Sequence, residues 1–168
     1  MNRLAHSDFL LKTLPPPADE PENALGLILD DPDLPAIVVT TADAISLRPL
    51  AGGQWSSQDD RAATFLAHEL LRAALVPPAE IPAHTVTMRS VARFRLNDTG
   101  AICEAMLAYP GDASLSDGRL SVLAPAGTAL LGLSRGQLMP YVTADGSVKT
   151  LTLLDVVFQP EAYGLEWR

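Results

Sequence analysis

The residues able to do chemistry in this 168-residue chain are few and scattered. A metal centre needs clustered ligands. His6, His68 and His84 lie far apart, and the single cysteine, Cys103, starts no zinc motif. Ser121 and Ser134 have no base near them in sequence, and no G-x-x-x-x-G-K-S/T or G-x-G-x-x-G run offers a phosphate cradle. Asp30, Asp31 and Asp33 form an acidic cluster, but their proline-rich setting reads as a solvated linker. Asp59 and Asp60 stand at the start of a helical pattern, where carboxylates cap exposed N–H groups and meet the positive end of the helix dipole. Trp55 precedes them, as a hairpin-packing residue or a partner contact. These residues predict no catalytic set, no metal site and no cofactor.

Composition narrows the classes further. A net charge of −8 opposes nonspecific binding to duplex DNA, and suits docking on a basic protein surface or in a channel built for anions. One cysteine allows no intrachain disulfide. Cys103 alternates with Ile102 and Glu104 and reads as a buried or half-buried strand residue. With no cleavable apolar leader and no apolar run near about 18 residues, the expected location is the cytoplasm and no membrane contact is expected. The chain is long enough to bury a core without staples.

Three regions must position whatever site exists. Residues 1–34 hold PPPADEPEN (Pro15–Asn23) and DDPDLP (Asp30–Pro35), a composition that predicts irregular chain. The apolar patches Phe9–Leu11 and Leu25–Leu29 interrupt it, and either could dock on the body or on a partner. Residues 35–80 predict a short strand, Ala36–Thr41, and then a helical hairpin. Its first arm is ended or kinked by Pro49, and its turn is Gly52–Gln58. The second arm is Asp60–Val76, with Ala63, Leu66, Ala67, Leu70 and Ala74 on its apolar face, and Ser57 and Asp60 at capping-box spacing. Pro77–Pro78 stops it.

Residues 81–168 read as strands. Val86–Ser90, Val91–Leu96 and Ala101–Tyr109 alternate, with a hairpin turn at Asn97–Gly100. Gln137–Val142 and Val148–Phe158 follow the same pattern around a turn at Thr143–Ser147. Between them lies LSVLAPAGTALLG, Leu120–Gly132, where an apolar stretch stops at Pro125 and Gly127 and a helical turn, Thr128–Leu131, stops at Gly132. The pattern predicts an α+β fold: an antiparallel sheet closing over one short helix.

That run, with its flanks, resembles the Rnk branch of the GreA/GreB transcript-cleavage family. The branch's "VTMNS" element stands here as Val86-Thr87-Met88-Arg89-Ser90, and its "YP" as Tyr109-Pro110. Its "SVLAP-G-ALLG" run is Ser121–Gly132, the following "GD" is Gly136-Gln137, and "YQPEA" is Phe158-Gln159-Pro160-Glu161-Ala162. The resemblance implies an FKBP-like C-terminal domain preceded by a short antiparallel coiled-coil hairpin. It also implies docking on RNA polymerase at the rim of the secondary channel. In Gre-type factors, acidic residues at the coiled-coil tip help hold a catalytic Mg²⁺ at the polymerase active site. Rnk-like members have a much shortened coiled coil and are not expected to cleave. The branch name implies an effect on nucleoside diphosphate kinase levels.

Where Gre-type factors carry Asp/Asn-Ser-Pro, this chain carries Leu123-Ala124-Pro125, so polar side-chain contact with polymerase is lost at two positions. The resemblance assigns partner contact to Leu123, Ala124, Pro125, Gly127 and Leu130, the alternative being that they maintain the fold. For Asp59 and Asp60 the two readings are helix capping and metal delivery. The expected function is a non-enzymatic, polymerase-binding regulator that competes with Gre-type factors. A cleavage-stimulating factor and a general protein-interaction module are the alternatives. An FKBP-like fold also raises prolyl isomerase activity, but the aromatic-lined pocket this needs is not suggested by Phe94, Tyr109, Tyr141 and Phe158, which are scattered.

Overall fold

The structure, a computed structural model, describes residues 21–52 and 57–165. Phe9–Leu11 and Trp55 lie outside the described residues. Helix α1 (Pro21–Leu29) leads to strand β1 (Val38–Thr40), helices α2 (Thr41–Ala51) and α3 (Ser57–Arg72), and strand β2 (Ala74–Val76). Strands β3 (Val91–Leu96), β4 (Ile102–Ala108) and β5 (Arg119–Ser121) follow, then helix α4 (Pro125–Leu130) and strands β6 (Leu138–Val142) and β7 (Val148–Phe158).

The five-stranded sheet has the order β5-β4-β3-β7-β6. Period-two alternation puts Ala92 and Phe94 of β3 and Leu151 and Leu153 of β7 into the core, as predicted. Cys103 is half-buried against that core. The pairs β3/β4, β3/β7 and β6/β7 are antiparallel, but β5 runs parallel to β4. A parallel neighbour needs a return connection. The segment from Tyr109 to Gly118, with its 3₁₀ turns Pro110–Asp112 and Leu115–Asp117, supplies it. Val86–Ser90 belongs to no strand; it threads between the two halves, with Val86 N–H donating to Leu133 O (2.9 Å) and Arg89 N–H to Leu107 O (2.7 Å).

The N-terminal half departs from the sequence expectation at three places. Pro21–Leu29 is helical rather than irregular: Ala24, Leu25 and Ile28 share one helix face, and all three are buried. Helix α2 passes through Pro49 and ends at Ala51, where Gly52 N–H closes on Arg48 O at 3.2 Å. The carbonyl that Pro49 leaves without its helical donor belongs to Ile45, an exposed residue, so solvent can satisfy it. Helix α3 stops at Arg72 instead of Val76. Residues before Pro77 are biased to extended backbone, and β1 offers a parallel ladder that pairs Val38 with Ala74 and Thr40 with Val76.

One hydrophobic core joins these parts. It takes in Ile28 of α1, Ile37 and Leu47 beside β1 and α2, Leu66 of α3, Leu130 of α4 and Leu151 of β7. The buried face of α3 is Ala62, Ala63, Phe65, Leu66 and Glu69. Ala67 and Leu70, predicted for it, are half-buried. Glu69 is fully buried because Arg72 meets both of its carboxylate oxygens, at 2.7 and 2.8 Å, while also donating to Pro35 O at 2.6 Å.

Candidate partner-binding surface

The Leu120–Gly132 run folds as a strand end, a tight turn and a short helix. Ser121 builds the turn: its Oγ accepts Leu123 N–H at 3.1 Å, and its carbonyl accepts Ala124 N–H at 2.9 Å. Pro125 opens α4, where a missing N–H costs nothing. Ala124 occupies the N-cap and provides no side-chain cap. Thr128 ties the helix back to the turn through Oγ1, which donates to Val122 O at 2.5 Å.

Two glycines make this packing possible. A Cβ at Gly127 would stand 1.9 Å from Ser121 O, inside any permitted contact. Gly132 has φ +77°, and a Cβ there would meet Ile37 Cβ and Val38 O at 3.0 Å. Its carbonyl accepts Val38 N–H at 3.1 Å, joining the end of α4 to β1.

The residues that the sequence assigned to partner contact therefore divide. Leu123, Gly127 and Leu130 are buried, so their side chains serve the frame. Ala124 and Pro125, with Ala126, are half-exposed and form the outer rim. Pro125 also lines a shallow cleft with Leu25, Phe65 and Val142, so the rim is continuous with α1, α3 and β6.

The N-terminal end of α3 is held at that same rim. Arg61 donates to Ala144 O at 3.4 Å, in the turn between β6 and β7, while Ala62 and Phe65 face the core. Asp60 is exposed, and its carbonyl accepts the Thr64 hydroxyl at 2.8 Å. Trp55 and the side chains of Ser57 and Asp59 lie outside the described residues. Among the described residues no group of three or more His, Cys, Asp or Glu is placed to hold a metal ion.

A second seam, which sequence reasoning did not single out, gathers the flanking motif residues on the polar side. Thr87 Oγ1 donates to Glu161 Oε2 at 2.7 Å and lies 2.8 Å from Ser90 Oγ, which also accepts Thr87 N–H at 2.9 Å. Met88 N–H donates to Asp43 Oδ2 at 3.1 Å, which docks the first turn of α2 on this element. Burial pushes the Asp43 carboxyl up to about 6, against the stabilising Met88 N–H, and the Glu161 charge adds to the rise. Burial, then the Asp43 charge, likewise raises the Tyr109 hydroxyl. Arg89 lies 5.0 Å from the centre of the Tyr109 ring and has a left-handed backbone, φ 65°. The sequence signal for this seam was the wide separation of the "VTMNS", "YP" and "QPEA" elements, which only the fold brings together.

Comparison with known proteins follows the same division. A model of the Rnk N-terminus matches residues 35–76, and a model of the C-terminal part of the transcription elongation factors GreA/GreB matches residues 81–157. The regulator of nucleoside diphosphate kinase from Escherichia coli K12 is 39% identical over 102 residues, covering 61% of this chain and 75% of that protein. The chain belongs to the Rnk branch of the GreA/GreB family. The Shigella flexneri regulator of nucleoside diphosphate kinase matches to the same extent. A prokaryotic transcription elongation factor GreA/GreB from Nitrosomonas europaea superposes with a TM-score of 0.56 at 35% identity, over 74% of this chain and 99% of that one. The mixed α+β frame is thus a GreA/GreB-like fold, in a family of transcription elongation factors and regulators. Within this Rnk-type chain the two matches meet near the 3₁₀ turn Pro78–Glu80, and the Gln159–Ala162 element lies beyond the second. No helix among the described residues is long and apolar enough to cross a membrane.

Proposed function

We propose that this protein is a non-enzymatic, cytoplasmic transcription regulator that binds RNA polymerase at the secondary-channel rim. In this reading residues 81–168 form the FKBP-like docking unit and residues 35–80 a stub of coiled coil. The stub occludes the channel entrance and competes with longer Gre-type factors. The observation that carries the proposal is the position of α3. Its Ala62, Phe65 and Leu66 are spent on the core, and Arg61 binds the protein's own Ala144 carbonyl. Delivery of a metal ion requires carboxylate oxygens within about 2 Å of it. Asp60 is exposed, and its neighbour Arg61 is tied to the β6–β7 turn, so α3 is read as packed on the body rather than as a free probe.

Contact with polymerase is assigned to Ala124 and Pro125 at the rim, with Leu123, Gly127 and Leu130 shaping it from within. Apolar and backbone contact replaces the polar side chains of Gre-type factors there.

The test is binding to core RNA polymerase with and without a competing Gre-type factor. The expected result is micromolar or tighter association, lost when the competitor is in excess. No association at that concentration overturns the proposal, and capture of a different partner at the same surface favours the interaction-module reading. Shortening of transcripts in a backtracked complex that disappears when Asp59 and Asp60 become alanine overturns the non-enzymatic assignment.

A further inference from the structure

One end of the five-stranded sheet carries an apolar row on the face turned away from Ala92 and Leu107. Arg119 of β5 stands opposite Met106 of β4, Met106 opposite Val91 of β3, and Val91 opposite Phe158 of β7. Residues directly opposite each other share a face. Tyr163 extends the row, its ring stacked on Phe158 with centroids 5.2 Å apart. Tyr163 is 67% exposed and Leu165 45%, so the row ends in open apolar surface.

At Met106 the row meets a cavity of about 460 Å³, within the range of ordinary binding cavities, roughly 300–1,000 Å³. The charges in its wall are engaged. Arg119 donates from Nε to Asp112 O at 2.6 Å and pairs with Asp117 at 3.4 Å. Arg89 lies 5.0 Å from the centre of the Tyr109 ring. The Asp112 carboxylate lines the cavity. Asp43, within electrostatic range of Arg89 and Tyr109, has a pKa of about 6 and is mostly ionised at neutral pH. An anion is opposed there. A neutral aromatic ring is not: the Met106 thioether and the Arg119 guanidinium both attract rings, and the Asp112 carboxylate accepts an indole N–H.

The chain carries such a ring close by. Glu161, in the turn Pro160–Tyr163, accepts the hydroxyl of Thr87, two residues before Arg89, so this end of the chain borders the cavity. Trp167 lies outside the described residues, two positions beyond Leu165. Phe158 and Met106 are two strand spacings apart, about 10 Å. Four residues, from Tyr163 to Trp167, extend to about 13 Å. Glu166 and Arg168 flank Trp167, and the cavity offers Arg119 and Asp112, one charge of each sign to match.

We propose that Trp167 seats its indole in this cavity against Met106, so that the segment after Leu165 forms a strap across the end of the sheet. The strap closes the cavity to other ligands.

The test is tryptophan fluorescence of the full chain. The sequence holds two tryptophans, so Trp167 is read in Trp55→Phe, and again as the difference between the parent and Trp167→Phe. Its emission is expected to lie to the blue of free tryptophan, with severalfold protection from acrylamide quenching. Gly111→Leu fills the cavity, since Gly111 lines it and a Cβ there meets no atom within 4 Å. That variant is expected to remove the shift and the protection while circular dichroism stays that of the parent. Met106→Lys is expected to do the same, and decides the matter if Gly111→Leu misfolds. Emission like that of free tryptophan would overturn the proposal. So would a blue shift that both substitutions leave intact, which places the ring elsewhere, or one lost on dilution, which assigns the ring to a second copy. None of these outcomes depends on whether polymerase binds.

Discussion

The helical N-terminal half meets the sheet along two seams of opposite character. At the dry seam, Gly132 lets the end of α4 press against Ile37 and β1, while Gly127 seats α4 itself on Ser121 within the sheet half, neither with room for a methyl group. At the polar seam, Asp43, Thr87, Ser90 and Glu161 meet through hydrogen bonds, with a carboxyl held near a pKa of 6. The dry seam has a single arrangement, because close packing has no intermediate states. The polar seam has two, differing by a proton. One joint therefore fixes how the halves sit, and the other makes the strength of that joint depend on conditions.

The comparison breaks most visibly at Gly127. Gly127→Ala places a Cβ 1.9 Å from a backbone carbonyl that cannot rotate away. The expected loss is about 3 kcal/mol or more, read as a fall in melting temperature of roughly 6–12 °C. A change under about 1 °C would mean that the turn gives way and that the seam is looser than described.

Asp43→Asn probes the other joint. Folded protein holds a proton on Asp43 up to about pH 6, whereas the ordinary carboxyl releases it near 3.8. The group's contribution is therefore full below about pH 4 and is lost as pH rises through 6. Asparagine can still accept Met88 N–H and carries no charge. The variant is expected to match the parent at pH 4 and to exceed it by about 1–2 kcal/mol at pH 7. Denaturant melts at both pH values check this, and parallel curves would remove the titratable seam.

Ala124→Ser sharpens the dry side. It restores a cap that α4 lacks and is expected to stabilise by about 1 kcal/mol, seen as a higher denaturant midpoint at unchanged slope. The smallest effect belongs to Asp60→Ala. The side chain is exposed at the start of α3, and a stability change within about 0.5 kcal/mol is expected. Polymerase association is expected to be unchanged, and its loss would return Asp60 to the functional surface.

Local signals carried the sheet. The alternation of Phe94 with Arg93 and Arg95, and of Leu151 with Thr150 and Thr152, survives unchanged because period-two alternation is set within each strand, even where its partner is distant, as β7 is for β3. The strand-turn-helix at Pro125 was also legible, although the helix begins three residues earlier than the Thr128 start read from glycine placement. What the sequence hid depends on distant partners. Ala74–Val76 continues a helical pattern until β1 offers a ladder. The Leu25–Leu29 patch could be read as an interruption in a tail or as a dock on the body, and only the core, which takes in Leu25 and Ile28, decides between them. Glu69 looks like a solvent residue until Arg72 covers both its oxygens. The resemblance pointed to the Leu123–Leu130 segment, yet burial reserves most of it for the frame and leaves Ala124 and Pro125 outward. Arg89's left-handed backbone had no sequence signal, because that conformation is uncommon outside Gly, Asn and Asp.

The bond from Val38 N–H to Gly132 O, with those from Gln137 to Ala36 O and Arg72 to Pro35 O, has a consequence for synthesis. A chain made from its N-terminus exposes Ile37, Val39, Leu47 and Leu66 long before Leu130 and Leu133 exist to cover them. At ribosomal speeds of about 5–20 residues per second, the wait between Arg72 and Leu133 lasts several seconds. During that interval the N-terminal half is a sticky, unfinished surface, and it is covered only once the Leu130–Leu133 segment has been made.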